Sequence, residues 1–307
     1  FTVRYEGKVV ASIHMDFLYE NGCPRMRIPA CWSPPSLPQP QPVADPDPQR
    51  ELLQVLEDLN QCSREYKSRI YDGEVKGLSV VKPFVGVNAD TPSDATVMRV
   101  RYGSGRGVVL AEGINPWYSD LDTYPMTTSV VDEAVRRVLA VGGRLDRIAI
   151  LDNFCWPDPV LSEKTPDGPY KMAQLVRANR ALYDITTAYL TPAVSGKDSM
   201  KNDSTRGGRK ISIPPTLLVS SLGQIDHVRH AVTLPPKRAG DIVYVLGTTY
   251  DELGGSALYR LRAAAQGTPL AYGGEVPRVR VDQALALYRA MDGLAGRGVL
   301  RSATTPA

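Results

Sequence analysis

A short stretch in the second half of the chain brings together residue types that bind phosphate and magnesium. Residues 193–203 read AVSGKDSMKND, an apolar run that breaks at Gly196 into polar residues. Gly196 has no Cβ, so its backbone could approach a phosphate group, while Lys197, Asp198 and Ser199 offer a cation, a carboxylate and a hydroxyl. We expect a strand that opens into a ligand-binding loop. From this stretch alone, a polar turn between two strands is an equally good interpretation.

The preceding residues predict how this stretch is positioned. Residues 147–151 form an apolar run that predicts a buried strand, which ends at Asp152 and Asn153. In folds that combine strands and helices, ligands often bind where buried strands end, so Asp152 is a second candidate site residue. A helix predicted over residues 171–189 then leads the chain into the 193–203 stretch.

Further strands and helices predicted along the chain indicate a mixed fold. The other predicted elements are strands at 95–102, 108–114 and 241–246, two strands within 210–225 that pair with each other, and helices at 49–62, 129–141 and 257–265. The glycine-rich residues 247–256 join the last of these strands to the last helix, which predicts either an anion site or a plain turn. We therefore expect a fold of the mixed α/β or α+β class.

Composition argues against several classes of function. The 307 residues are 43% hydrophobic and 22% charged, which is typical of a globular protein with one large or two ordinary domains. A net charge of only +3 argues against a nucleic-acid or membrane partner. No apolar run approaches the ~18–20 residues of a membrane span. The four cysteines form no CxxC pair, and we expect a cytoplasmic location.

A proline-rich segment predicts a domain boundary near the start of the chain. Residues 33–48 contain seven prolines in sixteen positions, so we expect neither a helix nor a strand ladder there. We expect a linker that proteases can cut, with strand-like residues 1–30 before it. The chain starts at Phe1 in a strand-like pattern, and we expect it to be a piece of a longer protein.

Five motifs in this order resemble phosphoribosylformylglycinamidine synthase, the amidotransferase-linked ligase of purine biosynthesis. The motifs are EGINPWYSDLDTY at 112–124, DEAVR at 132–136, LDNFCWPDP at 151–159, SGKDSMKND at 195–203 and YDELGGS at 250–256. Members of this family repeat a two-domain unit twice, and each unit resembles aminoimidazole ribonucleotide synthetase. The resemblance therefore implies an α+β fold with an N-type and a C-type domain, the latter truncated.

The resemblance also implies how the chain is divided. Residues 1–30 would be the tail end of a preceding C-type domain, and residues 31–48 the proline-rich linker. Residues 49–238 would form the N-type domain of the second unit, and residues 239–307 the start of its C-type domain.

The implied reaction is the ATP-dependent conversion of formylglycinamide ribonucleotide to formylglycinamidine ribonucleotide. Its ammonia comes from glutamine, and Mg²⁺ stabilises the negative charge that accumulates between ATP and the amide oxygen. The chain has no glutaminase signature, so the resemblance implies a glutaminase domain or subunit as a partner. The catalytic histidine of the family lies in the first synthetase unit, before Phe1. We therefore expect no catalytic residue in this chain and no activity from the chain alone.

The resemblance assigns roles to three residues of the main site. Asp152 and Gly196 would contact ATP, and Ser199 would contact the substrate. A position that commonly holds a magnesium-binding asparagine in smaller forms is Lys197 here, and a protonated lysine cannot ligate a cation. Two alternatives follow, in which Asp198 takes over the metal or Lys197 binds a phosphate directly.

A second nucleotide site is also implied by the resemblance, with departures from the family pattern. Its magnesium ligands match Asp94 and Glu133, but the third ligand, an asparagine, matches Arg137. Glu133 could equally be an N-terminal helix charge that complements the helix dipole. A family run with a histidine at its third position reads Tyr-Asp-Gly-Glu at 71–74, with Gly73 in the place of the histidine.

Two hypotheses of different classes remain. The chain is either a component of the ligase that contributes Asp152, Gly196 and Ser199 to a shared site, or a degenerate nucleotide-binding or scaffold fragment. The second hypothesis draws on Lys197, Arg137, Gly73 and the run at 301–307, which departs from the family pattern.

Overall fold

The computed structural model of the chain describes residues 1–19, 22, 23, 25–71 and 73–305. Its strands are β1 Thr2–Tyr5, β2 Lys8–Ser12, β3 Ser79–Val81, β4 Phe84–Val85, β5 Thr91–Pro92, β6 Thr96–Arg99, β7 Gly107–Ile114, β8 Ile148–Cys155, β9 Ala193–Ser199, β10 Asp203–Arg206, β11 Arg209–Ser212 and β12 Thr216–Ile225. Its α-helices are α1 Met15–Leu18, α2 Pro48–Glu57, α3 Glu65–Ile70, α4 Thr123–Ala140, α5 Gly168–Tyr189, α6 Ala257–Ala265 and α7 Val281–Gly296.

A six-stranded mixed sheet forms the centre of the fold. Its strand order is β3-β6-β7-β12-β8-β9. Neighbouring strands are antiparallel except β8 and β9, which run parallel. The parallel pair is joined through α5, the type of crossover that parallel strands require. The mixed class predicted from the alternation of elements is confirmed.

One face of the sheet is covered by α4, and the other is open. Alternate residues of β7 and β12, such as Val109 and Val219, are fully buried, whereas Leu110 and Leu222 on the opposite face are about half exposed. Gly113 lets the helix come close, because a Cβ on this residue would lie 2.1 Å from the carbonyl oxygen of Val130 in α4. Side chains of the central strands therefore divide into a helix-covered face and an open face.

The two long helices agree with the sequence prediction except at their first residues. Helix α4 begins at Thr123, six residues before the predicted start, because Asp122 caps it by accepting a hydrogen bond from the Tyr124 N–H at 2.9 Å. Arg177 of α5 donates to the same carboxylate at 2.9 Å. Asp122 thus caps α4 and binds Arg177 of α5, which links the two helices above the sheet.

The proline-rich segment is held against the rest of the chain. Trp32 stacks on Tyr170 at the start of α5 with ring centroids 5.5 Å apart, and the Arg177 guanidinium lies 4.4 Å from the Trp32 ring centre. Residues 33–47 are in neither a helix nor a strand, as predicted. The segment is nevertheless anchored at the helical layer by an aromatic and cationic contact.

The same segment also contacts the region after α6. The backbone N–H of Gly273 donates to the carbonyl oxygen of Pro38 at 2.8 Å. The Gln266 side chain accepts from the Gln41 N–H and donates to the Gln41 carbonyl, both at 2.9 Å. These bonds replace the ladder partners that a proline-rich backbone cannot find in a sheet.

Three predicted elements differ in the structure. Residues 241–246 form no strand, and Ile242–Val245 are 74–86% exposed. Residues 210–225 do not pair with each other, because β11 pairs with β10 while β12 joins the central sheet. The predicted ligand loop at 196–199 lies within β9, which continues to Ser199. Within the described ranges, no helix is both long and apolar enough to cross a lipid bilayer.

Candidate functional site

The register between β8 and β9 places Asp152 directly beside Gly196. The two strands are parallel, and Asp152 pairs with Gly196 while Phe154 pairs with Asp198. An ideal Cβ on Gly196 would lie 2.9 Å from Asp152 Oδ2 and 3.1 Å from its Oδ1. The Asp152 carboxylate therefore fills the space above Gly196. Close approach of a carboxylate explains why a glycine suits this position.

The four polar residues predicted to share one loop lie on two faces of the sheet. Paired residues of parallel strands point to the same face, so Asp198 shares a face with Gly196 and Asp152. Lys197 and Ser199 point to the other face, where the Lys197 ammonium donates to the Ser199 hydroxyl. The structure thus brings together Asp152, Gly196 and Asp198, and separates Lys197 and Ser199 from them.

Two neighbouring carboxylates, Asp152 and Asp198, determine the electrostatics of this face of the sheet. Burial raises the pKa of the Asp152 carboxyl above its ordinary value, and the negative charge of Asp198 raises it further. Asp152 is half-buried, whereas Asp198 and Gly196 are exposed at the strand edge. Carboxylate oxygens that repel each other at an accessible strand edge are suited to bind a hard cation such as Mg²⁺, or a phosphate ligand that carries such a cation.

Ser199 is held by both its backbone and its side chain. Its carbonyl oxygen accepts from the Trp156 N–H at 2.8 Å and from Asn202 Nδ2 at 2.7 Å. Its hydroxyl accepts from Lys197. A ligand that uses this hydroxyl must therefore share it with the lysine or move the lysine aside.

Glu133, a ligand of the second site implied by the resemblance, lies in α4 with partners of its own. The alternative that it is an N-terminal helix charge is wrong, because α4 begins at Thr123 and Glu133 lies beyond its first turn. Its Oε1 forms an ion pair of 2.6 Å with Arg137 Nη2, and its Oε2 accepts from the Ile114 N–H at 3.2 Å. Arg137 Nη1 also donates to the Glu112 carbonyl oxygen at 3.1 Å. Burial raises the pKa of the Glu133 carboxyl above its ordinary value, although the Arg137 charge acts in the opposite direction.

Asp94, the other implied ligand, is engaged by the C-terminal region. Its Oδ1 accepts from the Thr305 N–H at 3.1 Å and from the Thr305 hydroxyl at 2.8 Å. Asp94 Oδ2 is buried and has no hydrogen-bond partner. Among the described residues, no group of three or more His, Cys, Asp and Glu side chains could hold a metal ion. Asp94 and Glu133, which the resemblance assigns to the second site, are therefore not part of a group of three such side chains in the described part of the chain.

The structure describes only part of the two runs that depart from the family pattern, residues 71–74 and residues 301–307. Within the run at 71–74, Asp72 lies outside the described residues, while Glu74 accepts from the Gly77 N–H at 2.7 Å. In the run at 301–307, residues 306 and 307 lie outside the described residues.

The structure joins two of the motifs that are far apart in sequence. Gly255 has a φ of +75°, and a Cβ there would lie 2.9 Å from Tyr118 Cδ1. Tyr272 donates to Asp120 at 2.8 Å, and burial raises the pKa of the Asp120 carboxyl. The 250–256 loop therefore packs against the 112–124 motif, next to the start of α4.

Arg260 is a residue of this contact that the sequence analysis did not find. Its guanidinium lies 3.9 Å from the Trp117 ring centre, and its Nε and Nη2 are buried without a hydrogen-bond partner. It lies one turn inside α6, and nothing in the spacing of residues along this helix distinguishes it from a solvent-facing arginine.

Comparison with known proteins finds that the chain is similar to the same enzyme subunit from several organisms. The chain is 31% identical over 266 residues to phosphoribosylformylglycinamidine synthase subunit PurL of Thermoplasma volcanium, covering 85% of this chain and 32% of the relative. It is 34% identical over 210 residues to the same subunit of Thermoplasma acidophilum, covering 68% of this chain and 26% of the relative. No family model matches the chain.

Solved structures of Thermotoga maritima PurL have the same fold. The complex with AMPPCP aligns with 97% of this chain and 39% of that chain, with a TM-score of 0.55 and 23% identity. The complex with FGAR aligns with 97% of this chain and 37% of that chain, with a TM-score of 0.52 and 21% identity. The predicted fold class is confirmed.

The chain is thus a relative of phosphoribosylformylglycinamidine synthase subunit PurL over about a third of that subunit's length. The resemblance stated from the five motifs is confirmed.

Proposed function

We propose that the chain is part of phosphoribosylformylglycinamidine synthase and contributes the nucleotide-binding edge of one of its sites. The observation that carries this proposal is the pairing of Asp152 with Gly196 at the open edge of the sheet, where the carboxylate lies directly over the glycine. Both residues lie in motifs shared with the family. The PurL structures with AMPPCP and with FGAR, which have the same fold, support the proposal.

In the proposed reaction, ATP phosphorylates the glycinamide carbonyl oxygen of formylglycinamide ribonucleotide, and ADP leaves. Ammonia derived from glutamine then attacks the activated carbon, and inorganic phosphate leaves to give formylglycinamidine ribonucleotide. The work of the protein in such a phosphoryl transfer is mainly positioning and charge stabilisation. Asp152 and Gly196 would position ATP. Ser199, on the opposite face, would contact the substrate once its hydroxyl is released by Lys197.

Magnesium fits the Asp152 side of the strand edge. Asp152 and Asp198 carry the hard oxygen donors that this ion prefers, and their mutual repulsion would be relieved by a cation. When bound, the ion would supply positive charge against the phosphates. Of the two alternatives for the missing asparagine, the shared face of Asp152 and Asp198 favours Asp198 over Lys197.

The proposal includes partners and a domain division. A glutaminase domain or subunit would supply ammonia, and a first synthetase unit would supply the catalytic histidine, so this chain alone would be inactive. Residues 1–30, 31–48, 49–238 and 239–307 would be the end of one C-type domain, the linker, an N-type domain and the start of a second C-type domain. The location would be cytoplasmic.

A second candidate function is a degenerate nucleotide-binding or scaffold fragment. Two contacts favour it. Lys197 occupies the Ser199 hydroxyl, and Arg137 occupies the Glu133 carboxylate. Both contacts fill positions that the family resemblance gives to ligands.

Calorimetry of magnesium-ATP binding to the full chain separates the two functions. Asp152→Asn removes a charge that faces the nucleotide or its metal, and loss of such an interaction weakens binding by ~1.5–3 kcal/mol, about 10- to 150-fold. Asp282→Asn, an exposed aspartate in the first turn of α7, is the matched control and should bind like wild type.

Equal binding by wild type and Asp152→Asn, with both folded by circular dichroism, would remove Asp152 from the site. No binding by the wild-type chain would favour the degenerate fragment.

A further inference from the structure

We propose that Arg137 is a resident cation that takes the place of magnesium beside Glu133, so that this region of the chain binds no divalent metal. Both carboxylate oxygens of Glu133 are engaged. Arg137 Nη2 lies 2.6 Å from Oε1, and the Ile114 N–H lies 3.2 Å from Oε2. The magnesium ligands that the resemblance implies therefore do not fit the side chains that surround Glu133.

The position of Arg137 is fixed by the fold. It follows Glu133 by four residues, so both side chains lie on the same face of α4. Its Nη1 also bonds the Glu112 carbonyl oxygen at 3.1 Å, which ties the guanidinium to the end of β7. A guanidinium keeps its charge at any pH at which the protein is folded, and it has no acceptor atom. A divalent ion entering this space would meet a fixed positive charge.

Asp94 does not restore a metal site. One of its oxygens is bonded twice by Thr305, and only Oδ2 is without a partner. Magnesium keeps several waters and is usually bound through one or two carboxylates, so the free oxygen of Asp94 needs a carboxylate from another residue, and Arg137 occupies that of Glu133. In the described part of the chain there is no cluster of acidic, histidine or cysteine side chains that would supply the rest.

Another pair in the chain has the same spacing and also forms an ion pair, but it is more exposed to solvent. Glu65 and Arg69 in α3 have the same order and spacing, and their Nε and Oε1 atoms are 2.5 Å apart. Their side chains are 44% and 48% exposed, whereas those of Glu133 and Arg137 are 23% and 33% exposed. Solvent can replace Arg69 as the partner of its glutamate, but it has less access to Glu133. Arg69 therefore provides a matched control.

The test is a titration of the full chain with MnCl₂ in the absence of nucleotide. The concentration of free Mn²⁺ is measured by electron paramagnetic resonance at each step. In the wild-type background, Glu133→Gln should leave the number of bound Mn²⁺ ions unchanged. Arg137→Gln should add one site, with at least tenfold tighter binding than wild type shows there. The double variant Glu133→Gln/Arg137→Gln should lose that added site, and Arg69→Gln should gain none.

The proposal is overturned if Glu133→Gln removes one bound Mn²⁺ from the wild type, because Glu133 would then hold a metal despite Arg137. It is also overturned if folded Arg137→Gln gains no site. Should Arg137→Gln fail to fold, the comparison of wild type with Glu133→Gln still decides, and Arg137→Lys, which keeps the charge, should bind no additional ion. ATP binding at Asp152 does not enter these measurements.

Discussion

Asp152 and Glu133 are two partly buried carboxylates that differ in their neighbours. Burial raises the pKa of both. Glu133 has a cation from its own helix at 2.6 Å, whereas the charged neighbour that acts on Asp152 is the carboxylate of Asp198. The negative charge of Glu133 is neutralised within the chain. The negative charges of Asp152 and Asp198 repel each other, and a proton or a bound cation would relieve that repulsion.

This difference indicates which of two similar residues is suited to bind a ligand. A carboxylate with an internal ion pair and a backbone donor contributes to the fold, and its removal leaves a partly buried arginine without its partner. A carboxylate whose pKa is raised by burial and by a neighbouring carboxylate adds no electrostatic stability at neutral pH, which makes it a candidate for a functional residue. Stability measurements can therefore test the comparison without any ligand.

The largest effect is expected for Glu133→Gln. The substitution keeps the size of the side chain but removes the charge that Arg137 and the Ile114 N–H bind. Because burial raises the pKa of Glu133, its charge is not itself the source of stability. We expect a loss of about 1.5–3 kcal/mol in the free energy of unfolding because the substitution leaves the partly buried Arg137 guanidinium without its ion pair. Urea denaturation followed by circular dichroism measures it, with Glu65→Gln as the exposed control. A change as small as that of Glu65→Gln would mean that Glu133 is not a structural residue.

Asp152→Asn should have the opposite sign and should depend on pH. A raised pKa means that the folded chain holds the proton more tightly than the unfolded chain. Between the ordinary and the raised pKa, the unfolded state binds fewer protons, so stability falls as pH rises through that window. The variant should therefore be more stable than wild type at neutral pH. Its advantage should disappear once the pH is below the ordinary pKa of an aspartate.

Thermal unfolding scans of both proteins over a pH series check this prediction. Equal melting temperatures at neutral and at acidic pH would show that the Asp152 charge costs the folded chain nothing. The contrast with Glu133 would then disappear.

Gly196→Ala should change stability by less than about 1 kcal/mol. The added Cβ would come within 2.9 Å of Asp152 Oδ2, but a carboxylate at the end of a side chain can rotate away. The loss of glycine's freedom in the unfolded chain partly offsets the strain. Magnesium-ATP binding should weaken because Asp152 moves.

Urea denaturation measures the effect on stability, and Gly113→Ala is the contrasting variant. The Cβ of that alanine would lie 2.1 Å from a backbone oxygen, which cannot rotate away. If both alanine variants destabilise the chain equally in urea, the space above Gly196 is as rigid as the contact between β7 and α4.

Lys197→Met should have the smallest effect. Lys197 is exposed and lies on the face opposite Asp152, where its ammonium group donates a hydrogen bond to the Ser199 hydroxyl. We expect stability within about 0.5 kcal/mol of wild type, as for most exposed substitutions, and nucleotide affinity within about twofold. Calorimetry with Asp198→Asn in parallel checks the assignment. A larger loss in Lys197→Met than in Asp198→Asn would mean that the lysine binds a phosphate.

The sequence was sufficient to predict the class of fold, the two long helices and the strand before Asp152. The periodic spacing of apolar residues in these segments is a local signal, and the packing of the folded chain agrees with it. The loop predicted at Gly196 is a strand instead, because pairing with β8 outweighs the weak strand preference of Gly, Lys and Asp. Alternation along that strand then separates Lys197 and Ser199 from Asp152, which a loop would not have done.

Other errors arose where a partner lies far along the chain. Residues 242–246 have strong strand-forming side chains, yet a strand needs a neighbour, and these residues pair with none of the described strands. The contact of Asp94 with Thr305 joins residues 211 positions apart, which no spacing rule predicts. In contrast, Glu133 and Arg137 have the i, i+4 spacing from which a helical ion pair can be predicted, but the sequence analysis considered Glu133 only as a metal ligand or an N-terminal helix charge.

The contacts of the proline-rich segment also affect how the chain folds. Gln41 and Gln266 are separated by 225 residues, so their hydrogen bonds close a very long loop of chain. Closing such a loop has an entropic cost that local contacts do not have, and chains rich in distant contacts fold slowly. We expect the central sheet and its helices to form first, with the segment docking last. Substitutions at Gln266 should therefore speed unfolding and leave the rate of refolding nearly unchanged.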